Sequence, residues 1–131
     1  MELEFYENVN TDHPNDSIFC IKNFTKEELT KLSMEIDNLM DGYLHINLSD
    51  LSYINNLTKK TLILKTGREN KGIIKINENM YECILEKTQY IEMKKILFQL
   101  IANEAEITIG YNWLYNIVTD IDFLLSYSGS W

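Results

Sequence analysis

Short hydrophobic stretches, several of them alternating with polar residues, occur along most of this chain, and such patterns are typical of strands with a buried face. Residues 2–6 and 17–22 form the first two, and the polar segment between them contains the only proline, Pro14. Further strands are predicted at 44–48, 61–65, 72–76 and 80–85. The connections between the last three are short and rich in turn-forming residues, which predicts an antiparallel meander.

One segment in the first third of the chain carries the signals of a helix start. Thr25 and Glu28 form a T-x-x-E capping box, with Phe24 and Leu29 at the hydrophobic-staple positions. The hydrophobic residues that recur at helical spacing are Leu29, Leu32, Ile36, Leu39 and Met40. They give one apolar stripe, and Gly42 is placed to end the helix in the left-handed conformation.

A second helix is predicted over 88–103, with Thr88 as its N-cap. The residues that form its apolar side are Tyr90, Met93, Leu97, Leu100 and Ile101. A shorter helical turn is predicted at 50–57, because Leu51, Ile54 and Leu57 share one face there.

Two strongly alternating stretches follow the second helix. The first comprises Ile107, Ile109, Tyr111, Trp113 and Tyr115, and the second Ile121, Phe123, Leu125 and Tyr127. Residues 116–120 fit a hairpin loop between them. A core-facing strand is the favoured interpretation for Trp113, whereas Tyr111 and Tyr115 are ambiguous, because tyrosine can bury its ring and keep its hydroxyl at a wet edge.

The order of strands, helix and strands predicts the α+β class, with a mainly antiparallel sheet and two principal helices packed on one of its faces. The chain contains no internal repeat, low-complexity tract or linker-like segment. Residues 1–131 are therefore expected to form a single domain.

The composition is acidic, with 20 Asp and Glu against 12 Lys and Arg, a formal net charge of −8 and a pI of about 4.7. This charge argues against a nucleic-acid-binding protein, which needs a cationic surface, and against adhesion to an anionic membrane. The simplest alternative explanation of the acidity is solubility. No signal peptide and no membrane-spanning run is recognised, and Cys20 and Cys83 are expected to be free, buried thiols, so a cytoplasmic location is predicted.

The common catalytic and cofactor-binding motifs are absent from the sequence. We therefore predict no catalytic residue, no cofactor and no metal site, and no enzymatic activity. His13 beside Asp12 and Asp16 is better explained by a solvated loop than by a cation site. His45 is most simply a strand residue on a polar face, although acid–base chemistry with a distant Asp or Cys is an alternative.

Two carboxylates, Asp120 and Asp122, are expected on one face of the last strand, about 7 Å apart. A solvated face, a binding surface for a partner, and catalysis or metal binding are all compatible with this spacing. The segment after Lys95 holds no Lys or Arg but carries four acids and several large rings. The candidate partner-binding residues are Glu104, Glu106, Asp120, Asp122, Tyr111, Tyr115, Trp131, Asp12 and Asp16.

Anionic and aromatic character together is suited to a basic protein partner, because charge steers the encounter and rings bury area. Eleven of the acids lie in residues 1–60, whereas 61–95 holds seven bases and five acids. The negative charge is therefore concentrated in the two outer parts of the chain. If these parts fold against each other, they form a single acidic surface.

The ending D-I-D-F-L-L-S-Y-S-G-S-W (120–131) and the general build resemble immunity proteins of bacterial polymorphic-toxin and contact-dependent growth-inhibition systems. The resemblance implies a protein that binds and neutralises a cognate toxin. Many such toxins are nucleases with a basic cleft, which an acidic inhibitor complements. The alternatives are a small enzyme of unrecognised type and a homo-oligomeric adaptor subunit; the oligomeric state is not predicted.

Overall fold

The computed structural model describes residues 1–7, 16–103 and 110–129, and within these ranges the protein has the predicted α+β fold. The strands in the described residues are β1 (Glu2–Tyr6), β2 (Ser17–Lys22), β3 (Ile46–Asn47), β4 (Asn55–Asn56), β5 (Thr61–Thr66), β6 (Gly72–Asn77), β7 (Met80–Leu85), β8 (Asn112–Trp113) and β9 (Ile121–Leu125). The helices there are α1 (Lys26–Met40) and α2 (Lys87–Ala102). The strands form two mainly antiparallel sheets instead of the single sheet that was predicted.

The larger sheet, called the large sheet below, has the strand order β4-β1-β2-β9-β8. β1 and β2 are antiparallel, with Phe5 opposite Phe19. β9 lies parallel to β2, with Ile121 opposite Ser17. This pairing confirms that the two acidic outer parts of the chain fold against each other. β2 is hydrophobic almost throughout because both of its faces are covered: Phe19 and Ile21 belong to the main core, and Ile18 and Cys20 pack with Leu124 in a smaller cluster.

The smaller sheet, called the small sheet below, has the order β3-β5-β7-β6. β6 and β7 form the expected antiparallel hairpin, but β5 pairs in parallel with β7, so that Leu64 lies opposite Cys83. The predicted meander is therefore wrong in its first step. The short β5–β6 connection does not force these strands to pair, because the neighbour of a strand is set by packing across the whole sheet.

The first helix begins as predicted. The Glu28 amide donates to Thr25 Oγ1 at 3.2 Å, and the Thr25 amide donates to Glu28 Oε1 at 3.0 Å, which completes the capping box. Glu28 also binds the Met1 ammonium at 2.5 Å. Gly42, with a φ of 115°, adopts the expected left-handed conformation just after the helix.

The second helix begins one residue earlier than predicted, and its N-cap is Glu86 rather than Thr88, without a side-chain capping bond. α1 and α2 pack against each other, and they contact β5 and β7 of the small sheet. The Tyr90 hydroxyl fixes α2 to this sheet through the carbonyls of Lys65 (2.9 Å) and Cys83 (3.1 Å).

Three predicted elements differ from the structure. The strand at 44–48 is reduced to β3, and Leu44 is exposed. Instead of a helical turn at 50–57, a 3-10 turn at Leu48–Asp50 precedes the short strand β4. The long strand at 107–115 is reduced, among its described residues, to β8.

One hydrophobic core joins both sheets and both helices. At its centre the rings of Phe5, Phe19 and Tyr81 lie with centroids 4.6 to 5.2 Å apart, and they connect the large sheet to the small one. Cys20 and Cys83 are both buried and unbridged, as predicted. Among the described residues, no helix has the length and apolar character needed to cross a membrane.

Candidate functional site

Four carboxylates lie at the end of the large sheet where the strands β2 and β9 begin. Because these strands are parallel and in register, Asp16 and Asp120 directly precede two paired residues, and the Ser17 amide donates to the Asp120 carbonyl at 2.9 Å. Asp122 lies one pleat further along β9. Glu7 follows β1, which ends at the same edge because it runs antiparallel to β2. Glu7, Asp16, Asp120 and Asp122 are called the acidic end below.

The carboxylates of the acidic end form no ion pair with any residue that the structure describes. Their charges are therefore left to water or to a partner. Partial burial, together with the negative charge of Asp16, raises the pKa of Asp122 above its ordinary value. The ionised form of Asp122 is thus disfavoured in the isolated protein. A cation placed beside this carboxylate would stabilise the ionised form.

Two large rings stand exposed beside the acidic end. Tyr111 is 44% exposed and Trp113 45%, and their rings meet edge to face with centroids 6.1 Å apart. We call these two residues the ring pair. Together with Asp122 they line one concavity of about 410 Å³. Carboxylate and aromatic surface therefore face the same space, which suits a cationic side chain.

The prediction that Trp113 belongs to the core is wrong. Trp113 lies opposite Leu124 in the pairing of β8 with β9, on the face of the large sheet that is turned away from the main core. Its ring is at the edge of the sheet, because no described strand continues beyond β8. Trp113 was therefore missed as a candidate binding residue. The alternation of residues assigns side chains to two faces of a strand, but it does not show which face the rest of the protein covers.

Tyr115 was predicted as a surface anchor, and its position contradicts this role. It is only 3% exposed, and its hydroxyl donates to the Ile121 carbonyl and accepts from the Ile73 amide at 3.1 Å. These bonds join β9 to β6, and thus one sheet to the other. Gly72, with a φ of 71°, leaves room for this ring, because an added Cβ would lie 3.2 Å from the hydroxyl. We conclude that Tyr115 has a structural role.

The remaining predicted site residues are Asp12, Glu104, Glu106 and Trp131, and they lie outside the described residues. Their participation in binding stays a prediction. The structure adds Glu7, which the antiparallel register of the first two strands brings to the acidic end. It also adds Val118, a fully exposed apolar residue that shares a shallow concavity with Asp16 and Asp120.

A groove of about 460 Å³ runs from the acidic end into the junction of the two sheets. The residues that line it include Glu7, Ser17, Lys75, Glu78, Tyr81 and Asp120. Asp120 lines both this groove and the concavity beside Val118. The surface is therefore continuous from one concavity to the next.

Residues 1–7, 16–103 and 110–129 contain no cluster of three or more His, Cys, Asp or Glu side chains arranged to hold a metal ion. The carboxylates of the acidic end are thus near one another without converging on one point. His45 is exposed beside β3 and lines none of the concavities described above.

Comparisons with known proteins give no family assignment: no family model, no curated protein and no solved structure matches the chain.

Proposed function

We propose that this protein is an immunity protein, which binds and neutralises a cognate bacterial toxin that carries a basic surface. The observation that supports this most strongly is the position of the ring pair beside carboxylates without cationic partners among the described residues. The proposed binding surface comprises the acidic end and the ring pair, and the protein acts by binding rather than by catalysis.

The two parts of this surface have different tasks in the encounter. The acidic end and the net charge of −8 attract a basic partner over several ångströms and raise the association rate. Tyr111 and Trp113 then bury area at short range, and such rings are frequent among the residues that dominate binding energy. Steering controls how fast the complex forms, and the rings control how long it lasts.

A nuclease is the toxin class that best matches this surface. A nuclease binds a polyanion through a basic cleft, and an acidic protein surface complements the same positive charges. The resemblance of residues 120–131 to immunity proteins supports the same class. We place the encounter in the cytoplasm, where a toxin that degrades nucleic acid meets its substrate.

The proposal is tested first in cells. The products of the reading frames next to this gene are expressed singly in a bacterial host, with and without this protein. We expect one of them to stop growth and this protein to restore it. Failure to protect against either product contradicts the proposal.

The surface is tested next with the purified pair. We expect the double charge reversal Asp120→Lys with Asp122→Lys to slow association by about tenfold at low salt. The difference should shrink as salt is added, because screening weakens long-range attraction. The matched control, Asp41→Lys with Glu69→Lys, makes the same change in net charge at two exposed residues that line neither the acidic end nor a concavity beside the ring pair, and it should have a much smaller effect. If both double variants slow association equally, the acidic end is not the binding surface.

A further inference from the structure

Tyr81 has a buried ring and a hydroxyl at the wall of an open groove. The side chain is 3% exposed, and its ring packs against Phe5 and Phe19 at centroid distances of 5.1 and 5.2 Å. Its hydroxyl forms no hydrogen bond with any residue of the described ranges, unlike the hydroxyls of Tyr90 and Tyr115. A tyrosine can bury its ring and keep its hydroxyl at a wet edge, where that oxygen is free to bond to a ligand.

This hydroxyl points into the groove between the two sheets. Tyr81 lines the groove, and it lies opposite Lys75 in the pairing of β7 with β6. Burial raises the pKa of Tyr81, and the charges of Lys75, Glu7 and Glu78 act on the same hydroxyl. The charged groups of the groove therefore surround the unpartnered oxygen.

The charge that remains in the groove is negative. Lys75 is engaged by Glu78 at 2.8 Å, so these two charges neutralise each other. Glu7 and Asp120 have no ion-pair partner in the part of the chain that the structure describes. The groove thus offers two carboxylates outside any ion pair of the described residues, although the charge of Glu7 also acts on Lys75. It also offers a phenol oxygen that can accept a hydrogen bond.

We propose that this groove receives an arginine side chain, with the guanidinium group donating to the carboxylates of Glu7 and Asp120 and to the hydroxyl oxygen of Tyr81. The inference rests on the proposed function for the source of the arginine, which is the basic surface of the toxin. A guanidinium group presents five N–H donors in a planar fork, so one group can bind several acceptors at once. The ammonium group of lysine is more strongly hydrated and more compact, so it can bind fewer of these acceptors at once. The volume of about 460 Å³ lies in the range of small-ligand sites.

The test uses the isolated protein and three small probes. N-acetyl-arginine amide, N-acetyl-lysine amide and N-acetyl-citrulline amide are titrated into labelled protein, and amide chemical shifts are followed by NMR. We expect the arginine probe to shift the signals of Tyr81, Lys75 and Asp120 along a saturable curve. Citrulline has nearly the shape of arginine without its charge, so it should leave these signals in place, and lysine should bind more weakly.

Two variants then assign the contacts. Tyr81→Phe keeps the ring in the core and removes only the hydroxyl, and we expect it to weaken arginine binding about fivefold. Asp120→Asn should weaken binding about tenfold, since it removes a charge-assisted contact. Glu69→Gln, which removes a carboxylate outside the groove, is the matched control and should bind as the wild type does.

The outcomes separate this inference from the proposed function. Equal binding of arginine and lysine, or unchanged binding by Tyr81→Phe, overturns the arginine site. Shifts that spread over all carboxylates without saturation also overturn it, because they show only general attraction of a cation. Each of these results leaves protection against the toxin to be judged by the growth assay, in which the acidic end and the ring pair are tested directly.

Discussion

The acidic end and the small sheet with its helices differ in how many of their carboxylates are in ion pairs. On the small sheet and its helices, Glu82 binds Lys65, Glu78 binds Lys75, and Asp37 binds Lys94. At the acidic end, the corresponding charges have no cationic partner within the described ranges, and one of them is half-buried. An unpaired carboxylate that is partly buried, such as Asp122, works against folding when it is ionised. The proposed binding surface is thus the region in which charge adds least to the stability of the fold.

A similar division occurs within a few residues of the C-terminal hairpin. Trp113 and Tyr111 keep their rings at the surface, whereas Tyr115, two positions beyond Trp113, is buried between the sheets. β8 ends at Trp113, and both Leu114 and Tyr115 then turn inward. One short segment therefore contributes both to the proposed binding surface and to the joint between the sheets.

The largest expected effect concerns that joint. Tyr115→Ala should lower the free energy of unfolding by about 3–5 kcal/mol, because it leaves a cavity and removes the link from β9 to β6. Tyr115→Phe should cost about 1–3 kcal/mol, since the Ile73 amide and the Ile121 carbonyl lose their partner. Urea unfolding measures both values. Tyr111→Phe is the control and should lie within about 0.5 kcal/mol of the wild type. A Tyr115→Phe variant as stable as that control would remove the distinction between the two tyrosines.

The next effect concerns binding without folding. Trp113→Ala should weaken the affinity for the toxin identified in the growth assay by about thirtyfold, which is typical of a central aromatic residue. Its free energy of unfolding should change by less than about 1 kcal/mol, because the ring is largely at the surface. Calorimetric titration and urea unfolding of the same preparations measure the two quantities. Exposed Phe98 on α2 provides the comparison, and Phe98→Ala should leave the affinity unchanged.

The smallest expected effect contrasts an unpaired with a paired carboxylate. The pKa of Asp122 is raised in the folded protein, so the ionised group destabilises the fold at neutral pH. Asp122→Asn should therefore raise the free energy of unfolding by roughly 0.5 kcal/mol at pH 7. Asp37→Asn, which removes the pair with Lys94, should lower it by a similar small amount.

The pH dependence gives the sign of the Asp122 effect. Below the ordinary pKa of an aspartate, the carboxyl is protonated in both the folded and the unfolded state, and the advantage of Asp122→Asn should vanish. The advantage should appear as the pH rises through the raised pKa of the folded protein. Urea unfolding of the wild type and of Asp122→Asn at about each pH unit from 3 to 7 gives the difference in free energy of unfolding across this window. An Asp122→Asn variant that is less stable than the wild type at pH 7 would show that the carboxylate has a favourable partner.

Local signals predicted the elements that depend on neighbours in sequence. The capping box of Thr25 and Glu28, the apolar stripe of α2 and the alternation of β9 all act over a few residues, and the structure confirms them. The parallel pairing of β5 with β7 was not predictable in this way. It depends on which strand lies beside which in the finished sheet, and the short β5–β6 connection indicated a different neighbour.

The candidate site was predictable only in part. The proximity of Asp16, Asp120 and Asp122 follows from the pairing of the two outer parts of the chain, which the charge distribution had suggested. The difference between Trp113 and Tyr115 did not follow from the sequence, because the burial of Tyr115 depends on its hydrogen bonds to Ile73 and Ile121, which the alternation of residues does not contain. The sequence did not indicate a site at Tyr81, because the presence of a tyrosine in a strand does not predict what its hydroxyl contacts.

The parallel pairing of β2 with β9 has a consequence for how the molecule is made. Ser17 pairs with Ile121, about a hundred positions later in the sequence. Because contacts between such distant residues are slow to form, we expect this pairing late in folding. While the nascent chain is still growing, the hydrophobic run of β2 has a partner only on its β1 side and is open to aggregation. The acidic end does not exist before the two strands meet, so the proposed docking surface forms only when this long-range pairing closes.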